Sequence, residues 1–500
     1  MAWQKGIVHL AGRGEWMAKV KQVLRRGRAK VKRAGSSVQS ELHRVGDRLA
    51  DGHLCLGVTG LSGSGKTTFI TSLINQLMSF DHAQAALAGF SPALTQRILG
   101  VKLHRARIAG ETFPYAENYR QLCGEAPQWP HSTTDISGCV LEIRLQRSRG
   151  ILTRLGRPYK TLLLEILDYP GEWLLDLPMR QQSYLEWCRQ FRAQYQQAER
   201  AQLLAQWAPQ LAEIDPLATV DQALLGQQVA EFKQLLKQCK EAAGFSFVQP
   251  GRFLMPGSAE PELLAFLPLM MAPTLTDEQL KAAPKESYLR YFERCYADYL
   301  EQLVEPFYQR FFSKIDRQLV LVDVLTALHG GEDYVADMRQ SLTAILDSFC
   351  YGQQSWLRQL IQPKVDRVAF VASKVDQVVS ADHDNLRQLL ATMVRQAFRQ
   401  VQHEGIEPIC EAAAAVRASV EVVHEGNKAV VATQQDGRRR GLVGPPIPTR
   451  LPQGEQWQAF AQWPLKPFLP PAGLSHANHD PLPHIRVDSV INSLIGDKCR

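Results

Sequence analysis

Residues 60–68 read GLSGSGKTT, and no other stretch restricts what this chain can fold into as tightly. Gly60, Gly65, Lys66 and Thr67 satisfy the spacing G-x-x-x-x-G-K-[ST]. In such a loop successive backbone N–H groups turn inward around phosphate oxygens, the lysine reaches the β- and γ-phosphates, and the Ser/Thr hydroxyl ligates Mg²⁺. The candidate phosphate contacts are Ser62, Gly63, Ser64, Gly65, Lys66, Thr67 and Thr68. The flanks agree with this reading. LCLGVT (54–59) has the look of a short buried strand, and KTTFITSLINQLM (66–78) places Phe69, Ile70, Leu73, Ile74 and Leu77 at helical spacing. The phosphates would then sit at a helix N-terminus, where the dipole favours anions.

A length of 500 residues exceeds one ordinary domain, so a core with a large insertion is expected. The longest apolar run, LLAFLPLMMAPT near 262–273, is short and contains two prolines, and it is no membrane span. No secretory h-region is visible near the N-terminus. The nine cysteines form no C-x-x-C and suit reduced thiols in a cytosol. Residues 1–50 hold twelve Lys/Arg against three Asp/Glu, a local charge of +9 within a total of +7, so the other 450 residues carry about −2. The basic character belongs to an N-terminal arm. Its segment EWMAKVKQVLRRGRAKVKR (15–33) reads either as a solvated helix packed lightly on the core or as a contact for an anionic membrane surface, a membrane protein or nucleic acid. Aromatic residues are not interleaved with the basic ones apart from Trp16, so nucleic acid is not favoured.

Strand-like runs follow the loop at GCVLEIRLQR (138–147), PYKTLLLEILDYPG (158–171), RQLVLVDVL (317–325), DRVAFVASKVD (366–376) and EPICEAAAAVRAS (407–419), with helical patterns between the later ones. That order predicts an α/β fold with a mainly parallel sheet. The expected organisation is a basic arm at 1–50, a nucleotide-binding core at 51–171 and 317–419, a helical insertion at 172–316, and a C-terminal β element with tail at 420–500. Turns at Glu425-Gly426-Asn427 and Asp436-Gly437 give that last part an antiparallel character.

Candidate chemistry sits at the strand ends. Asp168 closes the run LLLEIL, where a carboxylate can hold Mg²⁺ through water, and the Gly171 N–H can approach a γ-phosphate. Ser373-Lys374-Val375-Asp376 follows VAFVA, with Gln377 next. A carboxylate there accepts two parallel hydrogen bonds from guanine N1–H and its 2-amino group, a donor pair adenine lacks, while the Lys374 stem can cover the ring. Ala415, Val416 and Arg417 could supply a backbone N–H to the guanine O6. The loop WPHSTT (129–134) offers Trp129, Ser132, Thr133 and Thr134; either threonine could complete the Mg²⁺ shell.

The stretches GVTGLSGSGKTTFITSLINQL (57–77), WPHSTTDIS (129–137), ILDYPGEWLLDLP (166–178), LVLVDVLTALHGG (319–331), FVASKVD (370–376) and PHIRVDSVINSLIGDK (483–498) together resemble the Ras-like GTPase class and, within it, the YcjX family of bacterial stress-associated P-loop NTPases. The resemblance spans nearly the whole chain. It implies a Ras-like GTPase core with a helical insertion, GTP or GDP as ligand with Mg²⁺, and a stress-response role. It also implies a cytoplasmic location, with peripheral attachment at the inner membrane made plausible by the family's association with the phage-shock envelope response. Two departures from the general GTPase pattern stand out. Ser373 occupies the place where Asn usually braces the base-binding loop, and Glu172 follows Gly171 where Gln often orients the attacking water. On this reading Lys66, Glu172 and Thr134 are the catalytic candidates, Thr67, Thr134 and Asp168 are the metal candidates, and Arg144 and Arg180 are candidates for an internal arginine finger. The leading expectation is a GTP-hydrolysing switch with slow intrinsic turnover. An ATPase and a nucleotide-stabilised scaffold with little hydrolysis stay open beside it.

Overall fold

The buried alternation along the central strands explains the layering. In the strand Arg317–Val322, Leu319 and Leu321 join one apolar cluster while Val320 and Val322 join another. Successive side chains of a strand point to opposite faces, so this sheet is covered on both sides, as near-continuous apolar strands require. The computed structural model describes residues 52–61, 63–81, 87–91, 96–146, 159–350, 365–403, 405–424 and 426–499. The basic arm and Ser62 lie outside the described residues. Contacts separate Met1–His53 from Leu54–Arg500, and the architecture below is that of the second unit.

The strands are β1 (Gly52–Gly60), β2 (Ile98–Arg105), β3 (Glu111–Thr112), β4 (Ser137–Gln146), β5 (Tyr159–Asp168), β6 (Arg317–Val322), β7 (Arg367–Ala372), β8 (Glu407–Ala412), β9 (Ser419–His424), β10 (Asn427–Thr433) and β11 (Arg439–Leu442). The main sheet runs β2-β4-β5-β1-β6-β7-β8, with β3 paired to β4. β1–β6, β6–β7, β7–β8 and β3–β4 are parallel, and β2–β4 and β4–β5 are antiparallel. This is an α/β fold with a mainly parallel sheet. β9–β11 form a separate three-stranded antiparallel sheet. The edge strand β2 has no counterpart in the sequence reading. Of its residues ILGVKLHR only Ile98 is fully buried, so it lacks the apolar run that marks a central strand.

Nine helices are used below: α1 (Lys66–Met78), α2 (Tyr184–Gln194), α3 (Gln222–Glu241), α4 (Tyr288–Tyr299), α5 (Val324–Gly330), α6 (Glu332–Cys350), α7 (His383–His403), α8 (Gln456–Ala461) and α9 (Val487–Ile495). One sheet face buries α1 together with α9, whose Val487, Val490, Ile491 and Leu494 share a cluster with Phe69 and Ile70. The end of the chain therefore holds part of the core. Arg317, buried at the start of β6, forks onto Asp366 (2.8 Å) and Asp497 (2.6 Å) and fastens the end of α9 there. The other face carries α6, α7 and the helical segment between β5 and β6.

That helical segment follows from local signals. Ser183 and Glu186 form a reciprocal capping box, and Tyr184, Trp187, Cys188 and Phe191 fall at i, i+3, i+4, i+7 to make the buried stripe of α2. Asp221 caps α3, which buries Leu225, Val229, Phe232, Leu235 and Leu236. Around the fully buried Trp187 lie Phe191, Phe232, Phe266 and Tyr296, at centroid distances of 5.4–6.5 Å. This aromatic core is continuous with the sheet's second face, so the insertion shares one core with the glycine-loop half of the molecule. Among the described residues, no helix is long and apolar enough to cross a membrane.

Candidate functional site

β1 ends at Gly60 and α1 begins at Lys66, so the glycine loop lies between a buried strand and a helix N-terminus. Gly63 and Gly65 have φ of 77° and 83°, a region a side chain would disfavour. The α1 N-terminus has no side-chain cap and no acidic residue in its first turn, which leaves its N–H groups for an anion. Gly171 is pressed against the loop from β5: a Cβ there would lie 2.3 Å from the Gly60 carbonyl oxygen. Only glycine permits that approach.

Lys66, Thr67, Thr133 and Asp168 converge beside this loop. Lys66 Nζ donates to the Tyr169 carbonyl (2.6 Å) and pairs with Asp168 Oδ1 (2.9 Å). Thr133 Oγ1 donates to Asp168 Oδ2 (2.5 Å) and lies 3.2 Å from Thr67 Oγ1. Asp168 is almost fully buried. Of the two threonines named above, Thr133 is the one in this cluster; Thr134 is exposed and lines neither cavity described here. The residues around the phosphate end include Ser64, Thr68, Pro130, Ser132, Glu172 and, from the insertion, Met255. Two hydroxyls and one carboxylate are hard oxygen donors of the kind Mg²⁺ takes together with phosphate oxygens. Among the described residues no three His, Cys, Asp or Glu side chains converge, so a metal here depends on those hydroxyls and on its ligand's phosphates.

A cavity of about 400 Å³ shares the glycine loop with this cluster and is lined by Gly63, Ser64, Gly65, Thr68, Trp129 and Ser132 together with Ser373, Lys374, Asp376 and Gln377. Lys374 holds a left-handed backbone (φ 58°), and its ammonium reaches Asp323 Oδ2 at 2.6 Å. Asp323 also caps α5 through the Thr326 N–H. Asp376 Oδ2 accepts from the Ala418 N–H at 2.9 Å, and burial pushes its carboxyl up to about 6. Ala415 and Val416 line the cavity. Arg417 does not, and its N–H is already spent on the Pro483 carbonyl at 2.6 Å.

Two further expectations meet a different geometry. Glu172 is buried and its Oε1 lies 3.3 Å from Lys240 Nζ of α3, so its carboxylate is turned to the insertion. Arg180 pairs with Glu305 at 2.7 Å and stacks on Tyr308, while Arg144 sits on β4 beside Glu142 and Tyr159. Neither arginine lines the cavity, and no arginine does among the described residues.

Sequence reasoning missed one wall. Thr326 and His329 of α5 and Leu465, Lys466, Pro467 and Phe468 also line the cavity. The Trp129 indole donates to the Phe468 carbonyl at 2.6 Å, so the last part of the chain holds the loop before Thr133. Pro-flanked WPLKPF carries no motif spacing, and the Trp129 and His329 it meets here lie over a hundred residues away.

The segment after Gly171 is clasped by the insertion. Asp176, fully buried, accepts from Tyr299 Oη (2.6 Å), the Gly251 N–H (2.7 Å) and the Arg252 N–H (3.1 Å). The Trp173 indole donates to the Met255 carbonyl (2.7 Å), and the Arg252 guanidinium lies 3.4 Å from the Trp173 ring centre. A Cβ on Gly257 would touch both Trp173 and Asp135, at 3.0 and 3.1 Å. One turn of the insertion thus abuts both loops that border the phosphate end.

Comparison with known proteins agrees with this geometry. A family model described as the YcjX-like family, DUF463, matches residues 54–499. The chain is 37% identical over 477 residues to "Ras-like GTPase YcjX" of Escherichia coli K12, covering 93% of this chain and 99% of that protein. It is likewise 37% identical over 479 residues to "Ras-like GTPase YcjX" of Shewanella oneidensis MR-1, covering 92% and 96%.

Proposed function

The chain belongs to the YcjX-like family, and on that premise we propose that it is a Mg²⁺-dependent GTP-binding and GTP-hydrolysing switch whose nucleotide state is relayed to the helical insertion. The observation that carries the reading is one cavity lined by both the phosphate-binding loop and the buried Asp376. Asp376 selects guanine by accepting from N1–H and the 2-amino group, and the Lys374 stem covers the ring. The glycine loop and the α1 N-terminus receive the phosphates, and Lys66 turns from Asp168 and Tyr169 toward them. Thr67, Thr133 and Asp168 would hold Mg²⁺, which when bound offsets charge on the transferring phosphoryl group. Exchange of Lys66 from carboxylate to phosphate frees Asp168 Oδ1, while Thr133 already stands beside Asp168 and Thr67 for that task.

Glu172 orients a water only by leaving Lys240, and among the described residues no arginine lines the cavity. Both features favour slow intrinsic hydrolysis. The calorimetric test is binding of GDP, GTP and ATP in Mg²⁺, followed by phosphate release. Micromolar GTP with ATP at least 100-fold weaker is expected; equal ATP affinity would sink the guanine assignment.

The relay rests on the clasp around Asp176 and Trp173. A shift of Gly171 toward a γ-phosphate pulls this segment against residues 249–257. Limited proteolysis is expected to cut the insertion at different rates with GDP and with a non-hydrolysable GTP analogue. Superimposable digestion time courses would remove the relay.

A further inference from the structure

The wall formed by α5 and the C-terminal segment has a chemistry of its own. His329 lines the cavity and is half-buried, with Nδ1 3.0 Å from the Phe460 carbonyl oxygen of α8. A carbonyl oxygen only accepts, so Nδ1 carries the hydrogen. In the neutral ring Nε2 is then an acceptor. No hydrogen bond to Nε2 is found among the described residues. α8 packs directly on α5, so the tautomer is set by the fold and not by solvent.

An acceptor facing a nucleotide cavity calls for a donor on the ligand. A guanosine nucleotide has few: N1–H, the 2-amino group and the ribose hydroxyls. Asp376 matches N1–H and one amino hydrogen. The ribose hydroxyls and the second amino hydrogen are the donors left without a partner, and the ribose supplies two of these three. Their neighbourhood also fits. Lys374, whose stem would cover the base, is bonded through its ammonium to Asp323, the residue that caps α5. The helix that carries His329 is therefore tied, through Asp323, to the residue that would cover the base.

Resting on the nucleotide reading above, we infer that His329 determines sugar specificity by accepting a hydrogen bond from a ribose hydroxyl at Nε2. The protein thus selects ribonucleotides over their deoxy counterparts through a wall that the phosphate loop and the base-reading segment do not supply.

The test is calorimetry on the full chain with GDP, 2′-deoxy-GDP, 3′-deoxy-GDP, IDP and ADP, for the wild type and for His329→Phe. The wild type is expected to bind GDP about 5- to 10-fold more tightly than at least one deoxy analogue, the size of one net hydrogen bond. His329→Phe should bring GDP to the level of that analogue and leave the preference for GDP over ADP intact. His329→Gln, which keeps an acceptor, should recover part of the sugar preference. Equal wild-type affinity for all three sugars would overturn the inference, and so would a His329→Phe variant that still discriminates. A loss confined to GDP against IDP would assign the histidine to the 2-amino group instead and overturn it too. Absence of any GDP binding would overturn the nucleotide reading along with this one, whereas GDP binding without sugar preference would overturn this one alone. The wild-type series needs no variant and stands even where a substitution impairs folding.

Discussion

Asp376→Asn is expected to weaken GDP binding about 100- to 1,000-fold and to raise affinity for xanthosine diphosphate. The carboxylate can accept from both N1–H and the 2-amino group. An amide presents one acceptor and one donor, so one of the two guanine donors faces an N–H. The 2-oxo group of xanthine restores the match. The effect is large because Asp376 is 6% exposed and the bonds form away from water. Burial, partly offset by the Ala418 N–H, pushes its carboxyl up from 3.8 to about 6 in the free protein. The protonated form is a poor double acceptor, so wild-type GDP affinity should hold above pH 6 and fall as pH drops through about 6. The variant should lack that dependence. Calorimetry with GDP and xanthosine diphosphate between pH 5 and pH 8 checks both statements. A variant that still prefers GDP would remove Asp376 from base recognition.

The second large effect lies away from the nucleotide. Asp176→Ala is expected to destabilise the protein by about 3–5 kcal/mol. One buried carboxylate accepts from Tyr299, Gly251 and Arg252, so its removal leaves three donors without a partner and takes a favourable charge away from the Arg252 guanidinium. Tyr299→Phe removes one donor and should cost about 1 kcal/mol. Urea denaturation measures both, and a loss under 1 kcal/mol for Asp176→Ala would show that the clasp contributes little. Burial pushes the Asp176 carboxyl up from 3.8 to about 6. The folded chain therefore holds a proton in that window that the unfolded chain has released. This contribution to stability is present below pH 3.8 and is lost as pH rises through about 6, and Asp176→Asn should abolish it.

These two aspartates also mark how far the sequence carries. Asp376 was visible as the carboxylate after an apolar strand. Asp176 lies within a recognisable stretch, DYPGEWLLDLP, yet its three donors come from residues 75 to 123 positions away. The phosphate loop, the strand-ending Asp168 and the runs that became β1, β4, β5, β6, β7 and β8 were legible because a strand's alternation and a loop's glycine spacing are written in adjacent residues. β2 was not legible, because an edge strand with one fully buried residue shows no such alternation.

Within the cavity the division is the same. Covalent spacing placed Lys66 and Thr67 on one helix turn and put Lys374 and Asp376 at one strand end. It could not choose Thr133 over Thr134, since neighbouring hydroxyls differ only in which way the loop is turned, and Trp129 anchored to Phe468 helps set that turn. Nor could it turn Glu172 toward Lys240, keep Arg180 on Glu305, or bring His329 and Lys466 to the cavity. By itself the sequence determined the family, the layered α/β core and the residues whose partners are close along the chain. Tertiary structure alone decided the cavity's outer wall and the insertion's grip on the segment after Gly171. Those contacts join residues tens to hundreds of positions apart, and only the packing of helices on the two sheet faces brings them within hydrogen-bond reach.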